Sequence, residues 1–447
     1  RTLWVGEQPR DILVAGPLDD RAFITTAHRG QHRTDPSIVA VAGAGDPQLT
    51  TEGIGRADVW VFDATALGDE LTGTPETILS FFADTPRALA ASDDGSLVYA
   101  AAFHSANQTT TWRENFFFPN LSPTANTAAP ILPTPIQGRI LGFDGTNWVD
   151  ALGNIAPTGT PRFQLPDQDV FKIDADAATP VVLSDDRTVG TILFDLAIHP
   201  TSGKVFVANT DANNRDRFEG NSATFGSLRG ELHKARVTIL DGTTVAPRHL
   251  NKHLAGLSDY ATPASPADAD KSLATPVDLV FNADGTKLYV AAFGSSKIGR
   301  FTTTELEADT FIPDESSQIE LSGGGPAAIV LDETRGLLYA YTRFDHALAI
   351  VDLEREVELF SIPLADREPA HVKGGRSILY DARFSSQNGE ASCCACHVCG
   401  DLASLAWTLG DPYLPVIANP NPFISSQSPF DVKFHPLKGP MTTQSLR

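Results

Sequence analysis

The chain has 447 residues, a formal net charge of −21 and an apolar content of 42%, which is the composition of a globular protein with room for two or three domains. The strong negative charge disfavours nucleic acid and anionic membrane surfaces as partners. Because no apolar run approaches the roughly 18 residues of a membrane-spanning helix, we expect no membrane span.

A sequence pattern recurs along residues 1–365. It consists of a Pro or small residue, an apolar strand, a turn of the Asp-Gly or Ser-Gly type, and a second strand rich in aromatic and small residues. Each copy predicts a β-hairpin, because such turns favour short connections between antiparallel strands. Five copies are readable, and they begin at Pro9, Pro86, Asp195, Pro276 and Pro326.

Several copies continue into a third strand that ends in Asp, at residues 59–63, 237–241 and 348–352. Strands in such repeated sets predict the blades of a β-propeller. The pattern resembles that of the Tyr-Val-Thr-Asn-type β-propellers, whose blades carry Asp-Gly followed by Leu-Tyr-Val-Ala, as residues 284–291 do here. We therefore expect a mainly β fold in which residues 1–365 form a β-propeller of six or seven blades.

Two insertions interrupt the repeats. Residues 105–169 are rich in Pro, Thr and Asn and predict a long loop. Residues 211–216 have the oxygen density of a calcium loop but lack its glycine, which leaves a calcium site and a polar turn network as alternatives. His249 and His253 have the spacing of two ligands on a helix, but no third ligand is near them in sequence, so we expect loop packing.

The four cysteines lie within seven residues, at Cys393, Cys394, Cys396 and Cys399. Cys393, Cys396 and His397 form Cys-x-x-Cys-His, the attachment pattern of heme c. Two thiols on one helical turn can reach the two vinyl groups, and the next residue can ligate the iron as the proximal ligand. Zinc or reactive thiols are the alternatives, although cysteine-bound zinc usually needs two ligand pairs separated by about a dozen residues. A disulfide framework is excluded, since the rest of the chain has no cysteine.

The sequence around this motif resembles the heme-binding opening of the diheme cytochrome c peroxidase family and of propeller–cytochrome fusions, through Gly375-Arg376, Leu379-Tyr380-Asp381, Asn388-Gly389 and the heme motif. The resemblance implies a small α-helical cytochrome c-like domain over residues 366–447. It also implies peroxidase chemistry as an alternative to electron transfer. The chain departs from the family at Cys394 and Cys399, which are additional thiols, and at Ala403, where relatives tend to carry an acidic residue.

The distal iron ligand decides between these activities, because an open position admits peroxide whereas Met or His favours electron transfer. Met441, the single methionine, is a candidate distal ligand, with His435 and His371 behind it and core packing as the alternative. Diheme peroxidases need a second Cys-x-x-Cys-His, which these residues lack. We therefore expect either a continuation beyond Arg447 or a single heme.

The sequence thus predicts a c-type heme-binding electron-transfer protein with a propeller platform and a redox partner protein. A peroxidase-type oxidoreductase and a structural or binding propeller with zinc on its cysteines are the alternatives, so enzymatic activity stays open, as does the oligomeric state. Heme is attached through thioethers outside the cytoplasm. We therefore expect a removed leader and a periplasmic or extracellular location.

Overall fold

The computed structural model describes residues 2–28, 32, 35–42, 57–69, 72–105, 107–112, 138–151, 153–156, 167–215, 231–255, 264–410, 417–418, 433–434 and 437–446. Within these ranges the protein is mainly β, and its helices are short. Most of the strands belong to three four-stranded antiparallel sheets and one eight-stranded sheet. A single pair, Ile192–His104, joins the two four-stranded halves of the eight-stranded sheet, which are described below as the second and third sheets.

The first sheet is a meander of β1 (Glu7–Ala15), β2 (Arg21–His28), β3 (Ala57–Asp63) and β4 (Thr77–Phe81). The second begins with β5 (Asp84–Ala91) and β6 (Leu97–His104). A separate small sheet follows, with β7 (Thr109–Trp112), β8 (Arg139–Phe143) and β9 (Trp148–Val149), and then β10 (Val170–Asp174) and β11 (Val181–Asp186) complete the second sheet. The predicted long loop at residues 105–169 therefore contains a three-stranded sheet, which its Pro-rich composition concealed.

The third sheet contains β12 (Ile192–Ile198), β13 (Val205–Ala212), β14 (His233–Asp241) and β15 (Thr244–His249), and the pair Ile192–His104 joins it to the second. Two short helices, α1 (Pro266–Asp270) and α2 (Thr303–Glu307), flank the fourth sheet of β16 (Pro276–Phe281), β17 (Lys287–Ala292), β18 (Lys297–Thr302) and β19 (Gln318–Glu320). The fifth contains β20 (Pro326–Asp332), β21 (Leu337–Thr342), β22 (Ala347–Asp352) and β23 (Val357–Pro363).

The five sheets correspond to the five repeats read from the sequence, and their arrangement is propeller-like. Packing between the first strands of neighbouring sheets follows the order β1, β5, β12, β16 and β20. The described part of the chain contains five such sheets. The predicted number of propeller blades, six or seven, is therefore not confirmed. The exposed apolar side chains Ile12 and Val14 on β1 and Val330 on β20 show that the first and fifth sheets carry apolar surface that the described residues leave uncovered.

The hairpin turns form for the reason that the sequence predicts. Gly285 in the fourth sheet has a φ of 75°, a left-handed conformation that a glycine adopts without steric cost. Beside it, the Asp284 carboxylate accepts hydrogen bonds from the backbone N–H and the hydroxyl of Thr286, at 2.8 and 2.6 Å. The turn glycines of the second, third and fifth sheets also have positive φ values. Turn chemistry is therefore shared along the repeats.

Neighbouring sheets are held together by apolar side chains in the layer between them. Phe23 and Val61 of the first sheet pack with Val98 and Phe171 of the second, and all four are fully or almost fully buried. Equivalent clusters lie between the later pairs of sheets. Alternation of apolar residues along each strand provides two buried faces per sheet, which is what a stack of blades requires.

A repeated aspartate links the first strands of neighbouring sheets, and the sequence alone did not reveal it. A register shift interrupts each first strand at the same place, and an aspartate lies there in three sheets. Asp11 accepts a hydrogen bond from the Leu89 N–H at 2.8 Å, and Asp278 accepts one from the Ile329 N–H at 2.6 Å. Asp195 is placed equivalently and also shares a hydrogen bond with Asp278.

The Asp195–Asp278 pair predicts a pH dependence of stability. Desolvation raises the pKa of Asp195 well above its ordinary value, and the charge of Asp278 raises it further. An acid whose pKa is raised by folding destabilises the folded state as pH rises from its ordinary pKa through its folded pKa. Asp195→Asn removes that ionisation. As pH rises from about 5 to about 8, the unfolding free energy of the variant should therefore increase relative to that of the wild type.

Urea denaturation at the two pH values measures this difference. Asp284→Asn is the matched control, because hydrogen bonds from Thr286 lower the pKa of Asp284. The stability that its carboxylate contributes is fully present above its ordinary pKa, so the difference in unfolding free energy between this variant and the wild type should not change between about pH 5 and pH 8. An Asp195→Asn variant whose stability changes with pH in parallel with the wild type would contradict the assignment.

The residues after the fifth sheet form a mixed segment. It begins with α3 (Ala370–Tyr380) and α4 (Ala382–Ser385), followed by two 3-10 turns, Cys393–Ala395 and Val398–Gly400. The strands β24 (Ala406–Gly410), β25 (Ile417–Ala418), β26 (Lys433–Phe434) and β27 (Leu437–Thr442) complete it, with β24 pairing β27 and β25 pairing β26. The predicted small α-helical cytochrome c-like domain is thus not confirmed, because half of these elements are strands.

Candidate functional site: the cysteine segment

The cysteine segment docks against the third and fourth sheets through a tight turn. Ser386 and the Glu390 N–H both donate to the Asn388 side-chain oxygen, which closes the turn. Gly389 has a φ of 74°, and a Cβ there would collide with the carbonyl of Ala269. The Asn-Gly pair at 388–389 therefore allows the backbone to approach α1, beside the fourth sheet, closely before it enters the cysteines.

Glu390 anchors this turn to the third sheet. Its side chain is fully buried, and its Oε1 accepts hydrogen bonds from His249 Nε2 at 2.7 Å, Asn251 Nδ2 at 2.9 Å and the Ala235 N–H at 2.8 Å. Burial alone would raise the pKa of Glu390, but the nearby His249 and His233 and these hydrogen bonds lower it below its ordinary value. The carboxylate is therefore ionised and fixed in place three residues before Cys393.

The first 3-10 turn places Cys393 and Cys396 on one side of the segment. The Cys396 and His397 N–H groups both donate to the Cys393 carbonyl, at 3.3 and 3.0 Å. Side chains three residues apart are eclipsed in a 3-10 turn, so the two thiols project in similar directions. This local geometry suits attachment to two neighbouring groups on one ligand edge.

The thiols differ in burial and in acidity. Cys396 lies in an apolar cluster with Leu232, Leu405 and Trp407, and burial raises its pKa far above the ordinary value. Burial raises the pKa of Cys394 to about 11, although Ser392 lies 2.8 Å from its sulfur and lowers the pKa. Both thiols are protonated at neutral pH, and none of the four cysteines is in a disulfide.

The alternatives to heme are zinc and reactive thiols. A reactive cysteine needs the thiolate form, which burial of Cys394 and Cys396 disfavours. Among the described residues, three potential metal-ligating side chains converge at Glu231, His249 and Glu390, and the cysteines form no comparable group. The geometry therefore gives a zinc-bound cysteine cluster no support.

A backbone carbonyl from the C-terminal residues fixes the ring of His397. Its Nδ1 lies 2.8 Å from the backbone carbonyl of Gln444. A carbonyl can only accept, so Nδ1 carries the proton and Nε2 carries the lone pair. Proteins usually orient a metal-ligating histidine by a hydrogen bond from the ring nitrogen that does not bind the metal. The C-terminal residues are themselves fixed, since the Leu446 N–H donates to the Gly400 carbonyl at 2.9 Å.

The candidate distal ligands do not meet at His397 in the described residues. Met441 lies on β27 opposite Trp407, with 42% of its surface exposed, and it precedes Gln444 by three residues. Gln444 contacts Nδ1 of His397, whereas iron would bind Nε2, so the nearness of Met441 to Gln444 does not place its sulfur beside the iron. His371 is exposed in the first turn of α3, and His435 lies outside the described residues. A distal role for Met441 or His435 stays a prediction.

A cavity of about 220 Å³ lies between the cysteine segment and the first strands of the propeller-like sheets. Cys394 and Cys399 line it, together with the arginines Arg87, Arg343 and Arg376. Arg343 and Arg376 both pair with the single carboxylate of Glu368. The Arg87 guanidinium lies 4.5 Å from the centre of the Phe103 ring. The cavity is therefore cationic within an acidic protein.

The size and lining of this cavity bear on what it can hold. Pockets for drug-sized ligands occupy roughly 300–1,000 Å³, so the cavity is suited to a small anion and is too small for a heme. It is lined by the two thiols outside the Cys-x-x-Cys-His pair. Heme attachment at Cys393 and Cys396 would thus lie on the other side of the segment.

Comparisons with known proteins show only a weak likeness of fold. No protein-family model matches the chain, and no curated protein matches it. A chain of hydrazine synthase from Kuenenia stuttgartiensis is 14% identical, with 77% of this chain and 83% of that chain covered and a TM-score of 0.34. A putative 6-phosphogluconolactonase from Bacteroides uniformis is 16% identical, with 71% and 66% covered and a TM-score of 0.34. Scores this low carry no argument about function.

Sequence reasoning missed several parts of this site. The contact of Glu390 with His249 joins residues 141 positions apart, and no local pattern indicates it. Of the candidate calcium loop at residues 211–216, residues 211–215 are described, and there the Asp211 carboxylate accepts a hydrogen bond from Arg236 at 2.9 Å, which supports the polar turn network. Within the described residues no helix has the length and apolar character to span a membrane.

Proposed function

We propose that this chain is a c-type heme-binding electron-transfer protein, with heme c joined to Cys393 and Cys396 and His397 as the proximal iron ligand. The observation that carries the proposal is the hydrogen bond from His397 Nδ1 to the Gln444 carbonyl. Because Nδ1 holds the proton, the Nε2 of this histidine, which directly follows the second cysteine, has a lone pair free to bind iron. When bound, heme supplies an iron that gains and loses one electron.

The residues present fit this group. Cys393 and Cys396 lie on one side of a 3-10 turn, and apolar side chains surround Cys396. Cys393 and His397 are half-buried, so the attachment point lies near the protein surface, where a partner can exchange electrons. Glu390 and the Gly400–Leu446 hydrogen bond fix the segment on both sides of the motif.

The setting of the protein follows from this chemistry. Thioether attachment belongs outside the cytoplasm, which supports a periplasmic or extracellular location. A net charge of −21 favours a basic redox partner protein, since complementary charge accelerates association. No observation on the described residues favours peroxide turnover over electron transfer.

The pyridine hemochrome spectrum of the full chain, produced with a c-type heme maturation system, tests the proposal. The wild type should show a two-thioether α-band and retain heme after denaturation. Cys393→Ser combined with Cys396→Ser should lose all covalent heme. Cys399→Ser, which changes an exposed thiol outside the motif, should retain it.

Heme in the double serine variant would contradict the attachment site. A wild type without heme that releases one zinc per chain, with the zinc lost in the same double variant, would favour the zinc-binding propeller instead. Elemental analysis of the purified proteins separates these outcomes.

A further inference from the structure

Three side chains from distant parts of the sequence converge outside the heme motif. Glu231 precedes β14, His249 ends β15, and Glu390 lies in the turn before the cysteines. Each offers one ligand atom, and these atoms lie within 4.8 Å of one another. Two carboxylates and an imidazole at this spacing are a donor set for a divalent metal ion.

Glu390 provides a second, independent observation. Its Oε1 takes all three hydrogen bonds described above, whereas its Oε2 is buried and has no hydrogen-bond partner. A buried carboxylate oxygen without a partner is costly, because it has lost water and gained nothing in exchange. A cation at Oε2 would remove that cost.

The surroundings of the cluster favour a cation over a simple ion pair. Glu231 is half-buried, and the nearest cation paired with it is Lys234, at 3.7 Å. Two carboxylates meet one imidazole here, and the ammonium of Lys234 lies at the edge of the cluster with 43% of its side chain exposed, so it compensates only part of their charge. A divalent ion would balance the two carboxylates while the imidazole binds as a neutral ligand.

The supporting contacts resemble those of a built metal site. Asn251 is fully buried, donates to Glu390 Oε1 at 2.9 Å, and is itself held by the Leu273 N–H and carbonyl. His233 Nε2 lies 3.2 Å from the Glu390 backbone carbonyl and so helps to fix the backbone of this residue. Contacts of this kind fix the orientation of ligating side chains.

We propose that Glu231, His249 and Glu390 form a binding site for a divalent transition-metal ion such as Zn²⁺, with Glu390 binding through Oε2 and water completing the coordination. Histidine among the ligands favours such an ion over Ca²⁺ or Mg²⁺, which prefer oxygen. The imidazole binds through a deprotonated nitrogen, and any displaced proton passes to solvent. The ion would clamp the cysteine segment to the third sheet.

Zinc titration of the metal-stripped full chain tests this site by calorimetry. The wild type should bind one Zn²⁺ per chain, and Glu231→Gln should weaken binding at least tenfold. Glu307→Gln is the matched control, because Glu307 is also half-buried and paired with a lysine, Lys204, but lies outside the cluster. It should bind as the wild type does.

A second comparison separates this site from the thiols. Zinc binding should persist in the Cys393→Ser, Cys396→Ser double variant, and X-ray absorption should show only nitrogen and oxygen ligands at about 2.0–2.2 Å, without sulfur at about 2.3 Å. Absence of zinc binding in the folded wild type, or its loss in the double variant with retention in Glu231→Gln, would overturn the proposal. Absence of zinc binding in the wild type leaves the heme proposal unaffected, whereas loss of zinc in the double serine variant would place the ion on the thiols and count against heme attachment there.

Discussion

Glu390→Ala should reduce the free energy of unfolding by about 3–5 kcal/mol, because each buried donor left without an acceptor costs about 1–3 kcal/mol. The variant leaves the N–H of Ala235, the Nδ2 of Asn251 and the ring of His249 without their common acceptor. It also opens a void beneath the turn. Urea denaturation in the presence of EDTA measures the loss without any contribution from bound metal.

The control for this prediction is Glu320→Ala. Glu320 forms an ion pair with Lys297 at 3.0 Å, but 64% of its side chain is exposed. Its partner Lys297 is buried but keeps the Asp270 carbonyl and Gln318 Oε1 as acceptors, so removal of the exposed carboxylate should cost about 0–1 kcal/mol. If the two variants lost similar stability, the anchoring role assigned to Glu390 would be wrong.

Trp407→Ala should cost about 3–5 kcal/mol, as removal of a large aromatic side chain from a packed core does. Trp407 is fully buried and packs with Leu232 from the third sheet, Leu405 and Cys396. The substitution leaves a cavity between the cysteine segment and the propeller-like sheets. Urea denaturation measures the loss of stability.

Phe360→Ala, on the outer strand β23, provides the comparison for this variant. Phe360 is 55% exposed, so its removal should change stability by less than about 0.5 kcal/mol. A stability of Trp407→Ala close to that of the wild type would show that the segment docks through other contacts.

The repeats show how far local sequence determines this fold. Alternating apolar residues and turns such as Asp284-Gly285 predict hairpins, and the five repeats correspond to five four-stranded sheets. Residues 105–169 and 406–442 contain strands that were not predicted, because their pairing partners are distant and their composition is that of loops. Strand pairing across long separations depends on the partner as much as on the strand itself.

The Cys-x-x-Cys-His motif likewise depends on both local and distant residues. Cys393, Cys396 and His397 are adjacent, so the sequence alone determined which atoms could hold a heme. The ring of His397 is oriented by Gln444, 47 residues later, and the turn before it is anchored by His249, 141 residues earlier than Glu390.

The sequence by itself therefore determined the repeated sheets, the absence of a disulfide framework and the chemical identity of the cysteine motif, because each depends on residues close together in the chain. Only the tertiary structure decided that Glu231, His249 and Glu390 meet, that three arginines surround one cavity, and that Glu390 is buried and ionised. Burial and convergence depend on packing between distant segments, which no local pattern encodes.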